Sequence, residues 1–413
     1  MWDVMQRFMP KIVAVCEHSE IIWTNVSQIL ERGQVLFDDE IKKGYYTKAL
    51  SGGSSAKVHI VYDQSNQPLF VRKVAYDDGV NGNGLPHLFE EIDFYRLVLT
   101  DPNYRSVRQY FPELRAIGPN YFDMEFIPGR ELSHILRDEK SFNGVSRRLF
   151  DFFQTADQFY KSHQKEVDRK GNQALGLVKS LYFEPLEKRM EGLKRTLSAH
   201  DSKTTRRLLA DFEADTVVVN GQKYENPLKI IDRMQQDPIF MAKLSCDHHT
   251  LGYDRDMGSQ NVMVPSDESS PLRLVDGKIK PGLTDPYFDI MKFPFSIFYT
   301  PIFRNEFDLS INGNEVTCAY HSNPAPIEAE FYDILRNACP RVDQNKLRFL
   351  AALQLLRDMP YRLGGVIGEG SPTHESEEAG QAVEIAVRKV MMEYCMATVQ
   401  INRWIVENSL SNQ

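Results

Sequence analysis

The sequence predicts an α+β protein, a sheet-rich N-terminal part followed by a larger, mainly helical one. Three observations lead there. A stretch beginning near Tyr45 runs with period two, the spacing of strands with one face inward. Helical spacing appears once between Leu88 and Leu99 and then dominates from about Glu131 onward. The composition, 42% hydrophobic and 26% charged over 413 residues, is that of an ordinary globular chain with mass for two or three units.

Taken in order, residues 1–40 carry helix-like patches, and the change of period near Tyr45 marks a candidate boundary. The run YYTKALSGGSSAKVHIVYDQSNQPLFVRKVAYDDG holds apolar and β-branched stretches around a Gly/Ser turn and a second turn at Gln64–Pro68, a three-strand meander ending near Val74. Beyond the Gly- and Asn-rich DDGVNGNGLP, Leu88, Ile92, Tyr95 and Leu99 form one helical stripe, with Glu91 on or beside it and Thr100-Asp101-Pro102 as the stop. Tyr110 to Phe126 reads as two further strands, broken by Pro128-Gly129, with a helix from about Glu131. A five-strand sheet with one helix is complete at that point. Residues 131–245 are mainly helical apart from a hairpin at VVVNGQKY, whose Asn220-Gly221 favours a type I′ turn. A second Asn-Gly signal stands in LSINGNEVTC, without evidence of a repeat. From Pro326 the pattern is helical again, interrupted by RLGGVIGEGSPTHE, expected to be a surface loop.

Composition narrows the function classes. No stretch approaches the length of a membrane-spanning helix and the N-terminus lacks a signal-peptide pattern, so the chain is expected to be cytoplasmic and without membrane partners. A net charge of −8 and a pI near 5.8 argue against nucleic acid as a partner. The five cysteines, Cys16, Cys246, Cys318, Cys339 and Cys395, lack paired spacing and are expected to be buried thiols. Cys246-Asp247-His248-His249 is discounted as a metal site, because adjacent residues of one loop rarely converge on one ion. Met391, Met392, Tyr394, Met396 and Trp404 are read as helix core.

The chemistry concentrates in GYDRDMGSQNVMV and LRLVDGKIKPGLTDPYFDIMKF. Asp256 and Asn261 are separated by four residues, Asp276 follows a short apolar strand, and Asp285 and Asp289 come shortly after. Phosphoryl transfer needs such a set: one carboxylate to orient the attacking hydroxyl, and an amide with a second carboxylate to hold magnesium on the phosphates.

These segments resemble the aminoglycoside phosphotransferase and choline-kinase-like family of the protein-kinase-like superfamily. Asp254-Arg255-Asp256 through Asn261 is similar to its catalytic loop, although the family usually has His-Gly where Asp254-Arg255 stand. Asp276-Gly277 is similar to its Asp-x-Gly segment with one residue missing, and TDPYFDIMK to its Asp-Pro-x-x-Asp signature. The resemblance implies a two-lobe protein-kinase-like fold. Residues 1–46 would be an N-terminal extension, 47–127 the nucleotide-binding lobe, and 128–413 the lobe with the catalytic loop and helical acceptor-binding insertions. It also implies roles. Asp256 would be the catalytic base, and Asn261 and Asp276 the Mg2+ ligands. Ser51, Gly52, Gly53, Ser54 and Ser55 would cover the phosphates, Lys73 would hold them, and Glu91 would pair with Lys73, with Glu90 the competing choice. Met124 would back the adenine pocket, Glu125 would offer its carbonyl and Ile127 its N–H to the base. Asp289 is read as a structural partner of the catalytic loop and Asp285 as a cap.

The function so implied is transfer of the γ-phosphoryl group of ATP or GTP to a hydroxyl of an aminoglycoside, aminocyclitol or sugar-like acceptor. A kinase for choline or another neutral alcohol is one alternative, and a nucleotide-binding pseudokinase scaffold another. Only eight residues separate Asp276 from Asp285, too few for the peptide-docking activation segment of a protein kinase. Glu328, Glu330 and Asp333 are candidates to receive ammonium groups, against the plainer reading of a solvated helix face.

Overall fold

The computed structural model describes residues 46–50, 56–75, 84–166, 172–245, 248–251, 256–277, 283–364 and 377–410. Two compact units emerge, Met1–Leu99 with Pro112–Ile127, and Thr100–Phe111 with Pro128–Gln413. The class is α+β, a small antiparallel sheet unit and a larger, mainly helical one.

In the first unit, β1 (Tyr46–Leu50), β2 (Ala56–Tyr62), β3 (Pro68–Ala75), β4 (Leu114–Ile117) and β5 (Tyr121–Glu125) form an antiparallel sheet in the order β1-β2-β3-β5-β4. The β2–β3 turn is built by Asp63, whose carboxylate accepts the backbone N–H of Ser65 and of Gln67, each at 2.9 Å. Asn66 takes the left-handed conformation there, at φ 63°. Helix α1 (Gly84–Thr100) turns Leu88, Glu91, Ile92, Tyr95 and Val98 inward, all buried. The stripe ends on Val98 rather than Leu99, which is half-buried. Tyr95 meets Phe122 of β5 at 5.8 Å between ring centroids, joining helix to sheet.

In the second unit the short excursion Thr100–Phe111 packs on helical material: Tyr104 lies 5.3 Å from Phe159 and Tyr110 5.0 Å from Phe152. The main run begins with β6 (Gly129–Glu131), α2 (Leu132–Glu139), α3 (Ser146–Ser162) and β7 (Lys165–Glu166). It continues through α4 (Asn172–Val178), a π turn at Lys179–Phe183, α5 (Glu184–Ser198), α6 (Lys203–Glu213), β8 (Thr216–Val219) and β9 (Gln222–Glu225). After α7 (Pro227–Gln236) and α8 (Pro238–Leu244) come β10 (His248–Leu251), a 3-10 turn at Ser259–Asn261, β11 (Val262–Pro265), β12 (Arg273–Leu274) and β13 (Leu283–Thr284). The chain closes with α9 (Pro286–Ile290), α10 (Lys292–Phe303), β14 (Phe307–Asn312), β15 (Glu315–Tyr320), α11 (Ala325–Ala338), α12 (Gln344–Gly364) and α13 (Glu377–Leu410). The helix expected from Glu131 therefore begins one residue later, because Gly129–Glu131 pair with Met263–Pro265 as an edge strand.

The two Asn-Gly signals belong to one sheet, in the order β14-β15-β8-β9, through a parallel pairing of β8 with β15. Asn220 and Gly221 have φ 52° and 74°, which a type I′ turn requires at both loop positions. In the second hairpin Asn312 is instead the last strand residue and Gly313, at φ 58°, begins the loop. Asn220 also joins the hairpins: its Nδ2 donates to the Cys318 carbonyl at 2.9 Å, and its Oδ1 accepts the Cys318 N–H at 2.7 Å.

The aromatic core of this unit gathers Phe153 of α3, Phe293 of α10 and Phe331 of α11, with Phe293 stacked on Phe331 at 4.9 Å and edge-on to Phe153 at 5.5 Å. Met391, Met392, Tyr394 and Trp404 are buried in α13, and Cys318, Cys339 and Cys395 are buried free thiols. The expected loop from Arg362 starts later than its Gly content suggested, since Arg362, Leu363 and Gly364 still belong to α12. Its remainder, 365–376, lies outside the described residues. Among the described residues no helix is long and apolar enough to cross a membrane.

Candidate functional site

In the sheet unit, β3 alternates its faces so that Arg72 and Lys73, adjacent in FVRKVA, serve opposite sides. Lys73 Nζ lies 2.8 Å from each oxygen of Glu91, one helical turn from Leu88 and Tyr95 on the inward stripe of α1. Both side chains are buried. Glu90 points about 100° away on the same helix. Its side chain is 66% exposed and faces His87. Arg72 makes a buried bidentate pair with Asp123 of β5, at 2.7 and 2.8 Å, its guanidinium 4.1 Å from the Tyr121 ring. Nothing in the alternation of the strand signals that pair.

Met124 is buried on β5 opposite Val71, and Ile127 is buried at the end of the unit. The Glu125 N–H donates to the Glu113 carbonyl at 2.8 Å. Ser51, Gly52, Gly53, Ser54 and Ser55 lie outside the described residues, as do Asp254, Arg255, Cys246 and Asp247.

In the helical unit, a two-strand ladder gathers the residues of the Asp/Asn loop. Val262 pairs with Leu274 and Met263 with Arg273, and the Val275 N–H donates to the Asn261 carbonyl at 2.8 Å. Antiparallel register thus brings Asn261 beside the segment that ends in Asp276, although 15 positions separate them in sequence. Asp276 has φ 61°, a conformation that aspartate tolerates at a cost of about 1 kcal/mol and that marks a held position. Asn261 Nδ2 donates to the backbone carbonyl of Asp256 at 2.9 Å, fixing the loop and leaving the amide oxygen uncommitted by that bond. The Asp256 carboxylate is 3.8 Å from Lys292 Nζ, at the start of α10.

The loop is anchored from behind. The Ser259 N–H donates to Ser296 Oγ of α10 at 2.8 Å, and Ser296 Oγ donates to the Phe293 carbonyl at 2.7 Å, all of it buried. Gly129 admits the close approach of β6 to β11, for a Cβ at that position would lie 2.2 Å from the Val264 carbonyl oxygen. Asp285 caps α9 through the Tyr287 N–H at 2.9 Å and pairs with buried Lys346 at 3.0 Å. Asp289 is fully buried and accepts the Tyr160 hydroxyl at 3.0 Å. The phenol of Tyr104 is pushed up to about 12, by burial first and then by the charges of Asp101 and Asp289.

The acidic residues considered for ammonium recognition have other duties. Glu330 accepts the Phe142 N–H at 2.9 Å, Asp333 pairs with Arg336 at 2.9 Å, and Glu328 is buried, which raises its pKa. Lys292 and Ser296 are the residues that sequence reasoning passed over. Their four-residue spacing on a helix directly after the Asp-Pro-x-x-Asp segment is the signal that would have linked them to the loop.

Asn261 and Asp276 suit magnesium, which is held by one or two protein oxygens together with waters and substrate phosphates. They do not suit a dedicated protein cage, and among the described residues no group of three or more His, Cys, Asp or Glu converges on a point.

No family model and no curated protein matches this chain in sequence. Among solved structures it is similar to an ethanolamine kinase from Plasmodium vivax, at 12% identity over 88% of this chain and 87% of that one, with a TM-score of 0.44. It is similar to an ADP-bound aminoglycoside phosphotransferase at 13% identity, over 89% and 98% of the two chains and a TM-score of 0.43. A choline kinase from Cryptosporidium parvum follows at 12% identity, over 97% and 95%, with a TM-score of 0.39.

Proposed function

We propose that the chain is a small-molecule kinase that transfers the γ-phosphoryl group of a nucleoside triphosphate to a hydroxyl. The observation that carries this reading is the β11–β12 ladder, which gathers an amide, a carboxylate and a clamped aspartate loop in the helical unit. The Lys73–Glu91 pair of the sheet unit supports it independently.

In the proposed reaction Lys73, held extended by Glu91, binds phosphate oxygens of the nucleotide. Asp256 accepts a hydrogen bond from the attacking hydroxyl and takes its proton late in the transfer. Asn261 and Asp276 hold magnesium, which when bound neutralises charge on the phosphates. A loose transition state leaves little covalent work for the protein, so positioning and electrostatics supply most of the acceleration. Adenine contacts are assigned to Met124, Glu125 and Ile127, and phosphate cover to residues 51–55. The acceptor is taken as a small alcohol of either the aminoglycoside, sugar or choline type.

The test is a magnesium-dependent phosphotransfer screen with labelled ATP against aminoglycosides, aminocyclitols, simple sugars, choline and ethanolamine, with Asp256→Ala as the blank. Turnover of one acceptor class, reduced at least about a thousandfold in the variant, is expected. Nucleotide binding without turnover anywhere in the panel or toward water would favour the scaffold reading.

A further inference from the structure

Lys292 is a lysine in an unusual position. Its side chain is 16% exposed, and its ammonium lies 3.8 Å from Asp256 Oδ1, an ion-pair distance too long for a hydrogen bond. Its other neighbour is the ring of Phe295, 5.3 Å away. Among the described residues none of its three N–H donors is hydrogen bonded. A mostly covered lysine whose ammonium is held by no protein acceptor within hydrogen-bond reach can turn its N–H groups to arriving anionic oxygens.

The mounting of Lys292 is rigid. The next residue, Phe293, is fully buried and wedged between Phe331 and Phe153. Ser296, one turn along the same helix face, is bonded to the N–H of Ser259. Helix α10 therefore meets the loop twice, at Asp256 through Lys292 and at Ser259 through Ser296. The described part of the loop, Asp256-Met257-Gly258-Ser259-Gln260-Asn261, includes no cation, with Arg255 preceding it in sequence. An ion pair brings a positive charge from this helix to Asp256.

We propose that Lys292 is the cation that binds the transferring phosphoryl group; this rests on the kinase reading above. In the step concerned, the acceptor oxygen forms a bond to the γ-phosphorus and the bond from that phosphorus to the β,γ-bridging oxygen breaks. The bonding electrons leave with the nucleoside diphosphate, and the hydroxyl proton passes to Asp256. Lys292 stays protonated throughout. Its point charge and unspent N–H groups follow the equatorial oxygens, and the 3.8 Å spacing holds it close to the base without occupying the lone pairs of Asp256.

The experiment uses the full chain, magnesium and γ-labelled ATP with water and the acceptor panel above, comparing wild type, Asp256→Ala, Lys292→Met, Lys292→Arg and Lys292→Ala. Expected for Lys292→Met is a fall in kcat of about 100-fold or more with KM for ATP within about threefold, at an unchanged melting temperature. Lys292→Arg should retain about a tenth of the wild-type rate or more, and added methylammonium should restore part of the Lys292→Ala rate, as no merely structural role would allow. A Lys292→Met kcat within about threefold of wild type overturns the proposal, and so does an inactive but folded Lys292→Arg without amine rescue. If wild type and Asp256→Ala transfer phosphate equally or not at all, to water and to every acceptor of the panel, the kinase reading fails first and takes the proposal with it.

Discussion

At the scale of single residues, the Lys73–Glu91 pair illustrates how one helix position decides a role. Glu90 and Glu91 are chemically identical neighbours, and only their angle on α1 separates a solvated carboxylate from a buried one. Removing Glu91 leaves the Lys73 ammonium buried without that carboxylate. Glu91→Ala is therefore expected to cost about 3 kcal/mol in urea unfolding, and to raise KM for the nucleotide about tenfold or more. Glu90→Ala, measured beside it, should stay within about 0.5 kcal/mol of wild type. The distinction was legible in sequence because Leu88, Ile92 and Tyr95 define the inward stripe. The Arg72–Asp123 pair was not, since an arginine on an alternating strand reads equally well as exposed. Lys292 was hidden for a related reason, as its ion pair with Asp256 lies across the fold and only its four-residue spacing from Ser296 marks it in sequence.

At the scale of elements, strands and turns that sequence reasoning treated separately turn out to brace one another. Pro128-Gly129 read simply as a break, whereas Gly129–Glu131 form an edge strand on β11, and β11 in turn directly follows Asn261. A side chain at position 129 has no room against the Val264 carbonyl, so Gly129→Ala should lower stability by about 1–3 kcal/mol in chemical denaturation. It should also slow phosphotransfer through the displaced ladder, with KM for ATP little changed. The sheet of the first unit and its helix were legible because period two and period 3.6 each ran long enough to show. Strands of two or three residues such as β6, β7, β12 and β13 carry no periodicity of their own; only tertiary pairing defines them. The joining of the two Asn-Gly hairpins escaped sequence reasoning likewise, because a parallel contact between distant segments leaves no local mark.

At the scale of the whole molecule, pH reports on how the long C-terminal helices pack. Glu393 of α13 is fully buried against Arg362 of α12, with Nε to Oε1 at 2.8 Å. Burial pushes its carboxyl up to about 7, while the guanidinium pulls the other way. The unfolded chain, with an ordinary glutamate value near 4.5, loses this proton first. The folded state therefore binds more protons between those values, and its stability falls as pH rises through that window, by about 3 kcal/mol from this group. Urea midpoints at pH 5 and pH 8 should show that decline in wild type and a flatter profile in Glu393→Gln. The helical bulk of this region was legible as helix core, yet its ionic interior was not, because charged residues among apolar ones look like a solvated face. The Asn220–Cys318 clasp carries a consequence for how the molecule comes into being. It ties positions 98 residues apart, and the Asp256–Asn261 loop, its ladder and Lys292 all lie on the intervening stretch. Closing so long a loop sacrifices chain entropy before the contacts reward it. During synthesis that closure waits until β15 has emerged, so every residue proposed for catalysis in the helical unit is already made when it forms.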